Sequence, residues 1–446
     1  MDFVPHTAQD DEEMLERVGV ADMAELCQSI PNELLLARAL DVPPALSEPE
    51  LLAHLAALAA GSRSDLVCFA GGGAYDHHLP PVVTALAGRA EFSTSYTPYQ
   101  AELSQGVLQA LFEFQTLVCE LYGMEVSNAS LYDGSNALVE AVNLAVRSTG
   151  RTKVVVGSTV MPSYVEVLKT YTSGLGLDIV QAYHDHSSGV VEWAGVDATG
   201  AACLVVANPN FFGRLEDVRA AARRAHDAGS LLVAVADPTS LGILESPGVL
   251  GADVAVGEGH ALGNPMAYGG PYLGLFATSR KLVRQVPGRI AGETLDRDGK
   301  RAYVLTLQAR EQHIRRAKAT SNVCTNQTLM AIAAAAHLSW LGPRGLARLG
   351  EVCARRTAFA RSRLSALEGC SIRFDGPAFK ELVLEVPGDA GELVRRLATR
   401  GYLAGPSLGR WYEGLESCLL VAVTERRTEE DINGLVEAIE KELVEA

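Results

Sequence analysis

A short polar motif has the composition of an anion-binding helix start. Asp133, Gly134, Ser135 and Asn136 precede an apolar stretch with helical periodicity at residues 138–146. Small residues at a helix N-terminus leave backbone N–H groups free to face an anion, and the helix dipole favours negative charge there. The motif therefore favours a phosphate contact at Gly134, Ser135 and Asn136, although an ordinary aspartate or serine helix cap explains the same residues.

Asp237 is a second candidate, because it follows directly on the apolar run 231–236. A carboxylate at the end of a buried strand must be paired. In many enzymes that use pyridoxal 5′-phosphate (PLP), such an aspartate pairs with the protonated pyridine nitrogen of the cofactor. A turn cap, helped by Pro238, explains the same residue, so both interpretations stay open.

The chain lacks a lysine where a PLP enzyme of this architecture would bond covalently to the cofactor. No lysine lies between Lys169 and Lys281, and Ala261 stands 24 residues after Asp237. A methyl group cannot form an imine, so covalent catalysis of this kind is not available from position 261.

Paired histidines, His77 and His78, follow the glycine-rich stretch 71–73. No acidic residue or cysteine is spaced to complete a metal site with them, so a structural turn with one hydrogen-bonded histidine is favoured. The eight cysteines are scattered and form no C-x-x-C pair, which argues against a zinc site and a disulfide framework. We therefore predict no metal.

Apolar runs alternate with helical stretches from about residue 61 to 330. The runs at 154–157, 202–207 and 231–236 are typical of buried strands, and a helix is predicted over 215–228. This alternation indicates a mostly parallel sheet covered by helices on both faces. Such sheets bind ligands beyond the carboxyl ends of their strands, where Asn208 and Asp237 are expected.

The remaining chain divides into an arm and a small domain. Residues 1–60 predict short helices broken by prolines, an arm that either wraps a partner subunit or packs on its own chain. Residues 331–446 predict a small α/β domain behind a linking helix that starts near Gln327 and runs through Leu341. Its further elements are predicted as strands at 371–374, 381–386 and 418–423 and helices at 391–400 and 428–445.

Charge and hydropathy exclude several classes of protein. The formal net charge is −16, which argues against binding to nucleic acid, whose phosphates need basic patches. No signal peptide and no stretch of about 18 apolar residues is visible, so no membrane span is expected. The scattered cysteines fit a reducing compartment, and we expect a cytoplasmic protein.

The stretch 91–106, which contains Thr97, Pro98, Tyr99 and Gln100, is the most distinctive motif. It resembles the T-P-Y-Q-x-E-x-S-Q-G signature of the glycine cleavage P-protein family. The resemblance covers nearly the whole chain. Its further matching stretches are 114–124, 128–134, 208–213, 269–274, 287–294 and 305–316.

Some bacteria split this family's protein into two chains, and the present chain is similar to subunit 1. The resemblance implies a PLP-dependent transferase type I fold, aminotransferase-like, and a heterotetramer with subunit 2, whose lysine holds PLP. His260 matches the histidine before that lysine, and Ala261 takes the place of the lysine. The vestigial cofactor site of this chain would then consist of Gly134, Ser135, Asn136, Asp237 and His260.

The resemblance also implies a reaction. The complete enzyme would decarboxylate glycine with PLP and transfer the aminomethyl group to the lipoyl arm of H-protein, and the isolated chain would be inactive. The loop 93–102 is our candidate for completing the active site, because polar and aromatic residues are concentrated around Pro98. The candidates are Tyr96, Tyr99, Gln100 and Glu102. Alternatively, the loop only packs the subunit interface.

Two other functions stay open at this point. The chain could be a non-catalytic scaffold that only stabilises subunit 2. It could also be a self-sufficient PLP enzyme that uses Lys281 or Lys318.

Overall fold

The computed structural model describes residues 5–36, 38–267 and 269–445, and the chain forms two compact units, 1–64 and 65–446. The first unit contains the helices α1 (Ala8–Val18), α2 (Met23–Leu26) and α3 (Glu48–Ala60). Capping boxes begin α1 and α3, because in each the side chain of the cap residue and an acidic side chain three residues later exchange hydrogen bonds with the backbone.

None of the described residues of this first unit is buried, and the α3 leucines Leu51, Leu52, Leu55 and Leu58 are exposed. The predicted role of the arm in holding a partner stays a prediction. So do the predicted domain boundaries near residues 60 and 330.

The second unit is built around one large sheet and one small sheet. Its strands are β1 (Val67–Cys68), β2 (Val126–Ser127), β3 (Lys153–Gly157), β4 (Asp178–Ala182), β5 (Ala201–Asn208), β6 (Leu231–Ala236), β7 (Val254–Glu258), β8 (Gly274–Thr278), β9 (Ile290–Leu295), β10 (Arg301–Thr306), β11 (Ser371–Ile372), β12 (Glu381–Glu385), β13 (Tyr402–Leu403) and β14 (Cys418–Ala422). Its helices are α4 (Pro81–Ala87), α5 (Ala90–Ser93), α6 (Gln105–Tyr122), α7 (Gly134–Thr149), α8 (Pro162–Thr172), α9 (Val218–Asp227), α10 (Gln312–Arg315), α11 (Thr328–Leu364), α12 (Ala390–Thr399) and α13 (Glu429–Val444).

The large sheet has the strand order β2-β8-β7-β6-β5-β3-β4. The neighbours from β7 to β4 are parallel, and β8 is antiparallel to both β2 and β7. Successive side chains of a strand point to opposite faces. Val154 and Val156 accordingly pack into the core beneath α7, whereas Val155 packs into the core beneath α9. Both faces are covered, which confirms the predicted mostly parallel α/β sheet.

The small sheet has the antiparallel order β11-β12-β14 and packs beneath α12 and α13. Leu382 and Leu384 of β12 share this core with Leu419 and Val421 of β14. The small sheet matters for function because Lys380 directly precedes β12. From there its side chain reaches Asp237, which follows β6 of the large sheet.

Two predicted helix boundaries were wrong. The helix predicted from Leu215 begins at Val218, because the Asp217 side chain caps it by accepting a hydrogen bond from the backbone of Ala220. The helix predicted to run through Leu341 continues to residue 364 across a kink at Gly342, whose φ of 60° suits glycine. Within the described residues, no helix combines the length and apolarity needed to cross a bilayer.

Candidate functional site

The carboxyl ends of three neighbouring strands bring polar side chains to one edge of the large sheet. β5 ends at Asn208, Asp237 follows β6 immediately, and β7 ends at Glu258. Asn208 is in register with Ala236, so both strands end level with each other. The predicted position of Asn208 and Asp237 at this edge is confirmed. Glu258 is a third polar group at the edge, and the sequence reasoning did not select it.

Asp237 is paired within the chain. Its Oδ2 forms a short salt bridge with Nζ of Lys380, and its Oδ1 accepts hydrogen bonds from the backbone N (2.8 Å) and the hydroxyl (2.7 Å) of Thr239. Burial opposes ionisation of this carboxyl, but the charge and hydrogen bond of Lys380 and the hydrogen bond of Thr239 outweigh burial and lower the pKa of Asp237. Asp237 therefore caps a turn through Thr239 and pairs with the ammonium of Lys380 from the same chain.

Lys380 is buried, with 1% of its side chain exposed. Its Nζ lies 3.2 Å from Nε2 of His77, 3.5 Å from the hydroxyl of Thr239 and 3.5 Å from the ring centre of Tyr75. Its backbone has a φ of 63°, a left-handed conformation that an L-residue adopts only at an energetic cost. The surrounding contacts therefore hold this lysine in place against its own backbone preference.

The start of α7 binds carboxylates of the chain. Asp133 caps the helix by accepting hydrogen bonds from the backbone N of Asn136 (2.9 Å) and the hydroxyl of Ser135 (2.5 Å). The backbone N of Gly134 donates to Oε2 of Glu258 at 2.9 Å. The predicted anion-binding motif is thus an aspartate-capped helix start with a second carboxylate in front of it.

Glu258 is held by three backbone hydrogen bonds. Besides Gly134, the backbone N atoms of His260 (2.9 Å) and Leu273 (3.0 Å) donate to its Oε1. Burial raises the pKa of Glu258 to about 7, although these hydrogen bonds act in the opposite direction.

His260 and Ala261 line the remaining space between these groups. Nε2 of His260 contacts the backbone of Tyr75, and burial lowers the pKa of His260 to about 4. Ala261 is buried as well. Together with Asp237 and Glu258 they line a cavity of about 70 Å³. The structure therefore brings the predicted residues Asp237 and His260 together at one small cavity, and Gly134 is connected to it only through its hydrogen bond to Glu258.

His77 belongs to the same hydrogen-bonded group. Its Nδ1 lies 2.7 Å from Oε2 of Glu425, and Sγ of Cys353 lies 3.7 Å from the same oxygen. The sequence reasoning that no acid or cysteine could join the histidines was wrong, since both come from distant parts of the chain. Both ring nitrogens of His77 are nevertheless engaged, one by Glu425 and one by Lys380, so the contacts still favour the structural role of the turn.

The loop 93–102 is exposed. Tyr96 is 80% exposed and Tyr99 is 54% exposed. The hydroxyl of Tyr99 lies 3.4 Å from Nη2 of Arg289, whose guanidinium also lies over the tyrosine ring at 5.5 Å. The His313 ring packs against the Tyr99 ring in a tilted arrangement, with the two ring centres 5.8 Å apart.

Arg289 itself is rigidly held. It is buried and donates to Oδ1 of Asn326 (2.7 Å) and to the carbonyl of Cys324 (2.8 Å). The predicted loop residues Tyr96, Tyr99, Gln100 and Glu102 do not line the cavity at Asp237. The candidate site therefore consists of two separate parts, a small cavity and an exposed loop.

Comparisons with known proteins identify the family. The model of the family described as glycine cleavage system P-protein matches residues 1–439. The chain is 47% identical to a probable glycine dehydrogenase (decarboxylating) subunit 1 of Geotalea daltonii, over 99% of this chain and 100% of the relative. A protein of the same name from Moorella thermoacetica is also 47% identical, over 98% and 99%.

This chain belongs to the glycine cleavage P-protein family. It aligns from end to end with members named subunit 1, which confirms the resemblance found in the sequence. A crystal structure of glycine decarboxylase (P-protein) in inhibitor-bound form superposes with a TM-score of 0.91 at 44% identity, over 99% of this chain and 100% of that chain.

More distant structures show the fold alone. A sphingosine-1-phosphate lyase of Burkholderia pseudomallei has a TM-score of 0.67 at 15% identity, over 91% of this chain and 93% of that chain. A glutamate decarboxylase of Lactobacillus brevis has a TM-score of 0.66 at 12% identity, over 93% and 96%. The predicted PLP-dependent transferase fold is confirmed.

The cavity of this P-protein family member does not fit PLP. Pockets for ligands of this size usually have about 300–1,000 Å³, whereas the cavity beside Ala261 has about 70 Å³. The position at Asp237 that would face a pyridine nitrogen is occupied by Lys380, and the start of α7 is occupied by Glu258. We therefore derive no chemical step through PLP bound in this chain.

Sequence reasoning missed Lys380 and Glu258. Lys380 lies 143 residues after Asp237 in the chain, so no local spacing connects the two. The only local signal for Glu258 was its place at the end of an apolar run, directly before Gly259 and His260. Its partner at Gly134 lies on a different element.

Proposed function

We propose that this chain is subunit 1 of a two-subunit glycine decarboxylase, in which PLP is bound by a lysine of subunit 2. The end-to-end match with subunit 1 proteins of the same length supports a division of labour between two chains. The observation that carries the proposal is the small cavity at Ala261, which has neither the lysine nor the volume for the cofactor.

In the assembled enzyme, PLP in subunit 2 would supply the electron sink for decarboxylation of glycine. H-protein would receive the aminomethyl group on its lipoyl arm, and two copies of each subunit would form the assembly. A cytoplasmic location fits the composition and stays part of the proposal.

The contribution of this chain to catalysis would come from the loop 93–102. Tyr96 and Tyr99 are exposed aromatic side chains, a residue type enriched at protein interfaces. Arg289 orients Tyr99 through a hydrogen bond and a cation–π contact, so the phenol is presented in a defined direction. A phenol whose direction is already fixed suits a position beside the active-site pocket of a partner chain. Gln100 and Glu102 follow Tyr99 in the same loop.

The self-sufficient PLP enzyme is disfavoured by the positions of its lysines. Lys281 and Lys318 are exposed, and neither lines the cavity at Ala261. Lys380 is buried near it, but its ammonium is fixed by Asp237 and His77. A nucleophilic amine needs a free lone pair, which this ammonium lacks.

The test is to purify both subunits and measure glycine decarboxylation with lipoylated H-protein, for each subunit alone and for the mixture. We expect activity only in the mixture. Activity of this chain alone would contradict the proposal. Full activity of subunit 2 alone would reduce this chain to the scaffold of the alternative hypothesis.

A further inference from the structure

Lys380 and Glu258 occupy the places at which the charged ends of a cofactor would be bound in this fold. We propose that Lys380 and Glu258 are built-in replacements for the pyridinium nitrogen and the phosphate of PLP, so that the pocket of this chain is closed and stabilised by its own side chains. This inference goes beyond the proposed function, because it concerns this chain alone and does not require subunit 2.

The first replacement is at Asp237. A lysine ammonium has three N–H donors. For Lys380 all three find acceptors, namely Oδ2 of Asp237, Nε2 of His77 and the hydroxyl of Thr239. The face of the Tyr75 ring adds a cation–π contact. A cation that is coordinated so completely neutralises Asp237 as a bound pyridinium would.

The second replacement is at the start of α7. The backbone N of Gly134, which would face a phosphate, instead donates to Glu258. This end of the pocket is tightly packed. A β-carbon placed on Gly134 would lie 2.1 Å from the hydroxyl of Tyr164 and 2.9 Å from the backbone N of Glu258. No room remains there for a phosphate unless the glutamate moves.

The space between the two replacements is the remnant of the ring-binding pocket. It is the cavity of about 70 Å³ lined by Ala261 and His260. Lys380 reaches this end from the small sheet in a left-handed conformation with φ of 63°. A strained backbone conformation persists only where the surrounding contacts hold the residue in it. The strain at Lys380 therefore agrees with a side chain that is required at this end of the pocket.

The first experiment measures thermal unfolding of the full chain. Lys380→Met keeps the length of the side chain but leaves Asp237 without its cation, and we expect the unfolding midpoint to fall by roughly 5–10 °C. Lys380→Gly should also lower it, although glycine suits the backbone at this position. The control Lys153→Met breaks the pair with Asp197, which is largely exposed, and should change the midpoint by about 1 °C or less.

The double variant Lys380→Met/Asp237→Asn removes both charges. Its unfolding midpoint should fall by less than the sum of the decreases measured for the two single variants. It also keeps the test informative if Lys380→Met does not fold. A Lys380→Met midpoint equal to that of wild type, a Lys380→Gly variant more stable than wild type, or full additivity in the double variant would overturn the proposal.

The second experiment uses pyridoxamine 5′-phosphate as the probe, because it has no aldehyde to react with surface lysines. The midpoint of the wild-type chain should not change with this probe, since the pocket is already filled. A saturable rise in the wild-type midpoint would overturn the proposal. Neither experiment contains subunit 2, so their failure is distinguishable from a failure of the subunit-mixing assay.

Discussion

The small cavity at the edge of the sheet and the loop 93–102 differ in where their functional groups find partners. Around the cavity, Asp237 and Glu258 are bound by groups of the same chain. In the loop, Tyr96 and Tyr99 extend into solvent, and only the phenol of Tyr99 is fixed from within. The comparison teaches that the polar groups at the cavity are satisfied within the chain, whereas the aromatic side chains of the loop are exposed and available to a partner.

The largest effect should come from the small cavity and should be on stability alone. We expect Asp237→Leu to lower the free energy of unfolding by about 3–5 kcal/mol, because it leaves the buried ammonium of Lys380 unpaired. Urea unfolding measures this loss. In the mixed enzyme below its unfolding temperature, kcat should stay within about twofold of wild type. A stably folded variant with greatly reduced kcat would contradict the claim that the cavity affects stability alone.

The loop should show the reverse pattern. We expect Tyr99→Ala to reduce glycine decarboxylation by the mixed enzyme roughly 10- to 100-fold, as loss of a central interface aromatic does. The unfolding midpoint of this chain should hardly change, because Tyr99 is half-exposed. Tyr171→Ala is the matched control, since Tyr171 is 50% exposed on α8. Equal activity of both variants would leave the loop as mere interface packing.

The pH dependence of stability should sharpen the account of Glu258. Its folded-state pKa of about 7 lies above the ordinary 4.5, so its contribution to stability is complete below about pH 4.5 and is lost as pH rises through about 7. We expect Glu258→Gln to gain stability relative to wild type, by about 1–3 kcal/mol, between pH 4.5 and 7.5.

The difference between variant and wild type is the quantity to measure. Burial lowers the pKa of His260 to about 4, so this histidine changes wild-type stability in the opposite direction over an overlapping range. The variant also loses a hydrogen-bond acceptor, but that loss is the same at every pH. Glu440→Gln, on the exposed face of α13, is the control. A difference curve that is flat with pH would argue against a buried, proton-binding Glu258.

The smallest effect on activity should come from Arg289, which we expect to act on catalysis through Tyr99. A lysine keeps the charge but lacks the planar fork that binds Asn326, Cys324 and Tyr99 together. We expect Arg289→Lys to reduce activity of the mixed enzyme about 3- to 10-fold. The tyrosine acts in only one orientation, so Tyr99→Ala should remove most of the effect of Arg289→Lys in the double variant. Independent, multiplying losses would show that Arg289 acts elsewhere.

Local sequence patterns were sufficient to predict the central strands of the large sheet. β5 and β6 are continuous apolar runs that end at Asn208-Pro209 and Asp237-Pro238, so both their position and their direction followed from the sequence. Long motifs such as 91–106 were sufficient to identify the family. The absence of any lysine between Lys169 and Lys281 was also visible, since it can be read directly from the sequence.

The closing of the pocket could not be predicted, because it depends on contacts between distant elements. Lys380 precedes a strand of the small sheet, and only the packing of that sheet brings its ammonium to Asp237. The partners of His77, which are Glu425 and Lys380, are distant from it in the sequence for the same reason. The limits of α9 and α11 were missed because a side-chain cap at Asp217 and a kink at Gly342 decide them.

The central claim, that this chain works without a covalent cofactor of its own, is tested most directly by trapping. The mixed enzyme is incubated with PLP, reduced with borohydride, and each chain is analysed by mass spectrometry. We predict a stoichiometric cofactor adduct on subunit 2 and none on this chain. A stoichiometric adduct on a lysine of this chain, at position 380 or elsewhere, would contradict the account.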